Sequence, residues 1–182
     1  MYKKFILEIL ADKISDCTKC DLHRNRIHAV PGDGPVTAKM MFIGECPGRD
    51  EDEQGKPFIG PSGKLLDKFL KAIKVNRKDV FISNMARCRP PQNRNPTDEE
   101  LKSCRWYLDE EIDIIKPKIL VTLGAVALKS LTGDPYASIM KMRGQWIKYK
   151  NINLMPMFHP SYLLRSMTPE NKKKVESDLI KL

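Results

Sequence analysis

The sequence lacks any long hydrophobic run. No apolar segment approaches the roughly 18–20 residues that a membrane-spanning helix needs. The first residues, MYKKFILEILADK, also lack the apolar core and cleavage site of a secretory signal. Internal repeats, low-complexity tracts and a recognisable linker are missing too. We therefore expect one intracellular, cytoplasmic domain over residues 1–182 that makes no contact with a membrane.

Acidic residues are the minority among the charged side chains. The chain has 32 Lys and Arg against 23 Asp and Glu, a formal charge of +9. An excess of cations favours a polyanionic partner, because neutralising phosphates releases counterions. Taken alone this balance is weak evidence for nucleic-acid binding, since many basic proteins bind none.

Four short apolar runs alternate with helical patterns. The runs predict strands at MMFIG (40–44), VFIS (80–83), ILVTLG (119–124) and INLMPMF (152–158). Helices are predicted by apolar spacing up to about Asp16, by an N-cap at Ser62, by Thr97 with Glu100, over 125–131, and by Pro169. This alternation indicates an α/β sandwich with a mostly parallel sheet.

Polar residues follow three of these predicted strands. Glu45 comes after the first strand, Asn84 after the second and His159 after the fourth. Open parallel sheets bind ligands outside the carboxyl ends of their strands. We therefore expect these residues to converge on one pocket.

An acidic stretch, GECPGRDEDEQGKPF (44–58), contrasts with the basic chain. It is not a calcium loop, because the twelfth position would be Pro61 instead of a bidentate Glu. It is not a phosphate loop either, since Pro57 replaces the Ser or Thr and carboxylates repel phosphate. What remains is an acidic solvated loop, or a turn that with Phe58 forms a pocket for a planar heterocycle.

Five cysteines are the remaining unusual feature. Cys17 and Cys20 form a CxxC half-site for a metal, and Cys88 and Cys104 could complete four ligands. Their spacing of fifteen intervening residues is unlike a zinc finger or ribbon, and iron–sulfur clusters tolerate looser spacing. A less favoured alternative is that Cys88 and Cys104 are small core residues. Cys46 is left over.

Four motifs in order carry a resemblance to a known family. They are GECPGRDEDEQGKPFIGPSGKLLD (44–67), NMARCRPPQNRNP (84–96), ILVTLG (119–124) and HPSYLLR (159–165). Together with the cysteines they resemble the type-4, iron–sulfur uracil-DNA glycosylases, over about residues 17–165. The resemblance implies a three-layer α/β/α sandwich with a four-stranded, mostly parallel sheet.

The resemblance also implies the ligands and the pocket residues. It implies that a [4Fe-4S] cluster is held by Cys17, Cys20, Cys88 and Cys104. Glu45 would begin the water-activating motif, as a base or only as an electrostatic stabiliser. Phe58 would stack on the base, Asn84 would read the pyrimidine edge, and His159 would meet the carbonyl oxygen where charge develops.

Further positions follow from the same motifs. Glu51 matches the position thought to guard the C5 side of the ring against a methyl group, and Leu163 matches the intercalation loop. The turn from Gly44 to Cys46 would supply a backbone N–H to the leaving uracil. Cys46 departs from the Ala or Gly usual in the family, and we expect this small substitution to be tolerated.

The implied activity is a DNA-repair glycosylase that flips uracil out of DNA, hydrolyses its N-glycosidic bond and leaves an abasic site. An alternative is a non-catalytic iron–sulfur module that recognises uracil-containing DNA, and a second is the same protein with zinc. We expect a monomer with access to DNA. Phosphate contacts are predicted for Arg87, Arg89, Arg94, Arg165 and Lys172–Lys174.

Overall fold

The computed structural model describes residues 2–182 as one α/β fold. Eight α-helices are present in this range: α1 (Tyr2–Ser15), α2 (Arg49–Gln54), α3 (Pro61–Ala72), α4 (Asp98–Ile115), α5 (Ala125–Thr132), α6 (Ile139–Met142), α7 (Pro160–Arg165) and α8 (Pro169–Lys181). The strands are β1 (Met40–Gly44), β2 (Phe81–Asn84), β3 (Ile119–Leu123), β4 (Ile147–Tyr149) and β5 (Ile152–Met157).

The strands form one sheet in the order β2-β1-β3-β5-β4. All neighbouring pairs are parallel except β4 with β5, which is antiparallel. The predicted sandwich is confirmed, but the sheet has five strands instead of four. The sequence pattern missed β4 because it is only three residues long and is joined to β5 by a two-residue turn at Lys150 and Asn151.

Two helical layers cover the sheet because its strands alternate their side chains between two faces. Met41 and Ile43 pack with α4 and α5, whereas Phe42 packs on the other face with α3 and α8. A smaller buried cluster joins α1 to α4 and includes Cys88 and Tyr107, with Cys17 and Cys20 at its border. Cys17, Cys20 and Cys88 therefore lie beside α1 and α4, whereas Cys104 on α4 belongs to the core between that helix and the sheet.

Several helix starts follow the local chemistry that the sequence predicts. Thr97 accepts the Glu100 N–H while the Glu100 carboxylate accepts the Thr97 N–H, a capping box that begins α4. Thr168 caps α8, with Pro169 in its first turn. The helix predicted from Ser62 begins earlier, because Gly60 is its N-cap and Pro61 occupies its first turn.

Among residues 2–182, no helix is long and apolar enough to cross a membrane.

Candidate active site

A cavity of about 360 Å³ opens at the carboxyl ends of the parallel strands. Strand order reverses between β1 and β3, which is where open α/β sheets place their ligand sites. The cavity brings together side chains that are distant in sequence, including Glu45, Cys46, Phe58, Asn84, His159 and Arg165. The expected convergence of the residues after β1, β2 and β5 is thus present in the structure.

Gly44 ends β1 beneath this cavity. A Cβ at this position would overlap both Asn84 Oδ1 and the ring of Phe58. The missing side chain therefore lets the flat ring and the carboxamide approach the same strand end.

Asn84 ends β2 and is almost completely buried, with 1% of its surface exposed. Its Oδ1 has no hydrogen-bond partner among the described residues. Leaving a buried polar atom unpaired is costly, and such atoms in native proteins call for an explanation. A ligand N–H in the cavity would satisfy this oxygen.

Phe58 lies between α2 and α3 in a left-handed backbone conformation, with φ 52°. Gly63 in the first turn of α3 makes this placement possible, since a Cβ there would collide with the backbone carbonyl of Phe58. The Phe58 ring centroid lies 5.8 Å from that of His159. Two aromatic rings therefore border the cavity from different elements.

The acidic stretch is not the solvated loop that its charges suggested. Residues Arg49–Gln54 form the helix α2, and within it Glu51 and Asp52 are buried. The Glu51 carboxylate accepts three backbone N–H groups, from Gly48 at 3.1 Å, Ile59 at 3.0 Å and Gly60 at 2.8 Å. Glu51 thus joins the turn after β1 to the residues that follow Phe58, while also lining the cavity.

His159 follows β5 and serves as the N-cap of α7. Its Nδ1 accepts the backbone N–H of Ser161 at 3.1 Å and lies 2.8 Å from the Ser161 hydroxyl. Burial, together with the positive charge of Arg165, lowers the pKa of His159 to about 4. The imidazole is therefore neutral at pH 7, and because Nδ1 is an acceptor its proton resides on Nε2.

Glu45 borders the cavity directly after β1. Burial raises the pKa of its carboxyl above the usual value, and the nearby Arg165 partly opposes this shift. Arg165 is exposed and lies at the end of α7. The carboxyl of Glu45 therefore remains ionisable in a pocket that carries one nearby cation.

Cys46 also lines the cavity, and burial together with Glu45 and Glu51 raises the pKa of its thiol. The side chain therefore stays a neutral thiol at pH 7. No described contact shows a chemical role for it, and its tolerance to substitution stays a prediction.

Leu163 lies where a DNA-facing residue is not expected. It is fully buried (0% exposed) in the core beneath α7, whereas the next residue, Leu164, is 49% exposed. Insertion of Leu163 into DNA would require α7 to rearrange. The intercalating role of Leu163 stays a prediction, and Leu164 is the leucine of this segment that already faces solvent.

The four cysteines of the predicted metal site line a second, small cavity beside α1 and α4. Cys20 and Cys104 share a hydrogen bond that lowers the pKa of Cys20, and Arg26 Nη1 donates to Cys88 Sγ at 3.1 Å. Within residues 2–182, no three His, Cys, Asp or Glu side chains are arranged to hold a single metal ion. Four thiols around one cavity nevertheless match in kind and number the ligands of an iron–sulfur cluster, which is larger than one ion.

The predicted phosphate contacts divide into two groups. Arg87 is 1% exposed and pairs with buried Glu111 at 2.9 Å, so the prediction that it grips DNA is wrong. Its guanidinium is buried because it pairs with the Glu111 carboxylate on α4. The other predicted side chains, Arg89, Arg94, Arg165 and Lys172–Lys174, have exposed or partly exposed positions.

Some residues of the site have no signal in the sequence. Ser161 orients His159, and Gly63 lets Phe58 pack against α3, yet each depends on a contact between elements. The Gly-Pro-rich run GPSG (60–63) indicates a tight turn, but it does not show which residue packs against that turn.

The fold and the cavity together define a class: an α/β protein with a carboxyl-edge pocket that combines a buried carboxamide, an aromatic ring and a neutral histidine. A sequence profile of the uracil-DNA glycosylase superfamily matches residues 31–180. A type-4 uracil-DNA glycosylase of Thermotoga maritima is 41% identical over 97% of this chain and 92% of its own. That of Sulfurisphaera tokodaii is 44% identical over 97% and 83%.

A third type-4 relative, from Archaeoglobus fulgidus, is 37% identical over 97% of this chain and 91% of its own. The chain therefore belongs to the uracil-DNA glycosylase superfamily and groups with its type-4 members. The predicted family is confirmed, and with it the enzyme class, hydrolases that act on N-glycosyl bonds.

Proposed function

We propose that this protein removes uracil from DNA by flipping the nucleotide into the carboxyl-edge cavity and hydrolysing its N-glycosidic bond. The observation that carries the proposal is the unpartnered Oδ1 of Asn84, 1% exposed, in the same cavity as Phe58 and His159. A uracil in this cavity would supply the hydrogen-bond donor that the buried oxygen lacks.

Recognition of the base rests on the carboxamide of Asn84. It offers an acceptor to uracil N3–H and a donor to O4. Cytosine presents an acceptor at N3 and an amino donor at N4, so both contacts would be mismatched. A buried mismatch of this kind leaves polar groups unpaired on both partners, which disfavours cytosine strongly.

Stacking on Phe58 offsets part of the cost of flipping. Extruding a base from a duplex costs a few kcal/mol, and stacking on an aromatic side chain returns about 1–3 kcal/mol. Gly44 and Gly63 hold the ring where a flat heterocycle can lie against it.

The departing uracil carries negative charge, which the site can stabilise with neutral donors. The Nε2–H of His159 points away from its Ser161 contact and is free to donate to uracil O2. Backbone N–H groups of the turn after β1 are the second source. The loss of one such donor in other enzymes typically costs roughly 10²–10³ in kcat.

Glu45 supplies the negative charge on the sugar side. Its ionised carboxylate would stabilise the developing sugar cation and orient the attacking water. The nearby cation of Arg165 favours the ionised form, because it partly opposes the rise that burial causes in the pKa of this carboxyl.

We also propose that Cys17, Cys20, Cys88 and Cys104 hold a [4Fe-4S] cluster. The common cavity of the four thiols and the N–H donated by Arg26 to Cys88 support this assignment. Such a cluster would cross-link α1, the loop before β1, the segment after β2 and α4, so we assign it a structural task. Purified protein should be brown and contain iron and sulfide. A colourless protein with bound zinc would contradict the assignment.

The activity is tested with a duplex oligonucleotide that contains a single U·G pair. The wild-type protein should release uracil and leave an alkali-labile site, and Asn84→Ala should lose most of this activity. Stable binding of the uracil duplex without base release would identify a recognition module and overturn the proposed hydrolysis. Wild-type cleavage no greater than that of Asn84→Ala would also overturn the proposal.

A further inference from the structure

The segment from Arg26 to His28 connects the four-cysteine cavity with the wall of the active-site cavity. Arg26 Nη1 donates to the Cys17 carbonyl at 2.8 Å and to Cys88 Sγ at 3.1 Å. Its Nη2 donates to the Ser15 carbonyl at 2.6 Å, at the end of α1. One guanidinium thus holds two of the cysteine segments together.

The next two residues are bound to α2. Asp52 Oδ1 accepts the N–H of Ile27 at 2.9 Å and that of His28 at 3.4 Å, and His28 Nδ1 lies 2.9 Å from the Asp52 carbonyl oxygen. Asp52 is 2% exposed. A buried carboxylate that accepts backbone N–H groups makes charge-assisted hydrogen bonds, which are stronger than neutral ones.

Asp52 is adjacent to the residue that shapes the pocket. Glu51 precedes it in α2 and accepts the N–H groups of Gly48, Ile59 and Gly60 on either side of Phe58. In the six-residue helix α2, the Asp52 carboxylate is therefore bound to the segment beside the cysteines, and the Glu51 carboxylate is bound to the backbone on either side of Phe58. Glu51 and Asp52 are consecutive residues of this short helix, so a displacement of Asp52 also displaces Glu51.

We propose that Asp52 is a positioning residue that couples the cysteine site to the active-site wall through α2. The cysteine site fixes the position of Arg26–His28, and Asp52 fixes α2 against that segment. The hydrogen bonds of Glu51 then fix the backbone around Phe58. This inference rests on the proposed function only in assigning uracil to the cavity. The coupling itself is a property of the protein without DNA.

Amide hydrogen exchange on the metal-loaded protein without DNA reports the coupling directly. Asp52→Ala should speed exchange at Ile27 and His28, which lose their acceptor, and also at Gly48, Ile59 and Gly60, which keep theirs. At Ile27 and His28 we expect roughly 10- to 100-fold faster exchange, since a hydrogen bond to a charged group slows exchange by about that factor. Asp52→Asn keeps one acceptor oxygen and should give a smaller change in the same amides.

The matched control is Glu53→Ala, which removes an exposed carboxylate from the same helix. It should leave all five amides unchanged. If Asp52→Ala and Asp52→Asn affect only Ile27 and His28, the carboxylate is a local contact and the coupling is absent. Should Asp52→Ala fail to fold, Asp52→Asn alone decides between these outcomes.

A second pair of variants tests the same path from its other end. Arg26→Gln should raise exchange at Gly48, Ile59 and Gly60, whereas Arg24→Gln, at an exposed site, should not. The double variant Arg26→Gln with Asp52→Asn should exchange no faster than the faster single variant, because both act through one path. Additive effects of the two changes would overturn the proposal. Since none of these readouts uses uracil release, a failure here is distinct from a failure of the proposed activity.

Discussion

The Cα of Gly44 lies so close to the ring of Phe58 that a Cβ built on it would stand 2.5 Å from the ring's Cζ. Strand β1 ends at this glycine, and the aromatic ring lies across that end. The absence of a side chain at Gly44 therefore lets the Phe58 ring and the Asn84 carboxamide approach the same strand end.

Gly44→Ala should therefore reduce uracil excision by disturbing the ring and the carboxamide together. Overpacking a tight site typically costs about 1–3 kcal/mol, and here much of that cost should be seen as weaker substrate binding. Steady-state kinetics on a uracil duplex should give a higher KM. Gly133→Ala is the control, because its Cβ would have no neighbour within 4 Å while its φ of 72° is strained. It should cost about 1–2 kcal/mol of stability and leave KM unchanged. An unchanged KM in Gly44→Ala would contradict the packing argument.

The acid limb of the activity profile should follow Glu45. Burial raises the pKa of this carboxyl above 4.5, so protonation on acidification should inactivate the enzyme at a higher pH than for an exposed glutamate. The profile of kcat/KM should show this limb, and Glu45→Gln, which we expect to be less active, should lack it. A limb that persists in Glu45→Gln would assign it to another group.

His159 should give a distinct pH dependence of stability. Its pKa falls from 6.5 in the unfolded chain to about 4 in the folded one, so the unfolded state binds the proton more tightly. The stability associated with neutral His159 is complete above pH 6.5 and is lost as the pH falls toward 4. The loss should be on the order of 3 kcal/mol, at 1.36 kcal/mol per pKa unit.

Urea unfolding of wild type and His159→Gln at pH 7 and pH 4.5 isolates this contribution. The wild type should lose more stability than His159→Gln between the two pH values, because the variant lacks the proton uptake of this imidazole and keeps every other titrating group. Equal losses would show that the histidine is not held neutral by the fold.

The two adjacent leucines of α7 should respond differently to truncation. Leu163→Ala removes a fully buried side chain and should lower the free energy of unfolding by about 2–5 kcal/mol. Leu164→Ala removes an exposed side chain and should leave stability within about 0.5 kcal/mol. If Leu164 fills the gap left by the flipped base, its truncation should lower excision from duplex DNA more than from a single strand. If Leu164→Ala excises uracil as fast as the wild type, Leu164 does not intercalate and Leu163 stays the candidate for this role.

The salt dependence of DNA binding should distinguish the exposed Arg165 from the buried Arg87. Arg165→Gln should weaken uracil-DNA binding and reduce the slope of log K against log salt by about 1. Lys118→Gln, an exposed change before β3 at the opposite edge of the sheet, should leave the slope unchanged.

Arg87→Gln should instead destabilise the protein by about 3–5 kcal/mol, because it leaves Glu111 as an unpaired buried charge. A stable Arg87→Gln protein with an altered salt slope would contradict its assignment to the core.

The sequence by itself determined the class of fold and the location of the pocket. The apolar runs of β1, β2, β3 and β5 have the length and composition of buried strands, and their alternation with helices favours parallel pairing. Carboxyl ends of parallel strands share one edge, so Glu45, Asn84 and His159 had to meet there. Local chemistry also determined the start of α4, where Thr97 and Glu100 satisfy each other's backbone.

Tertiary structure alone decided which charged and apolar side chains turn inward. Arg87, Asp52 and Leu163 occupy stretches whose local pattern fits a surface, but each has a partner or a core that lies far away in sequence. Burial of Arg87 depends on Glu111, and burial of Asp52 depends on the N–H groups of Ile27 and His28. Such pairings are set by long-range packing, which no short window of sequence contains.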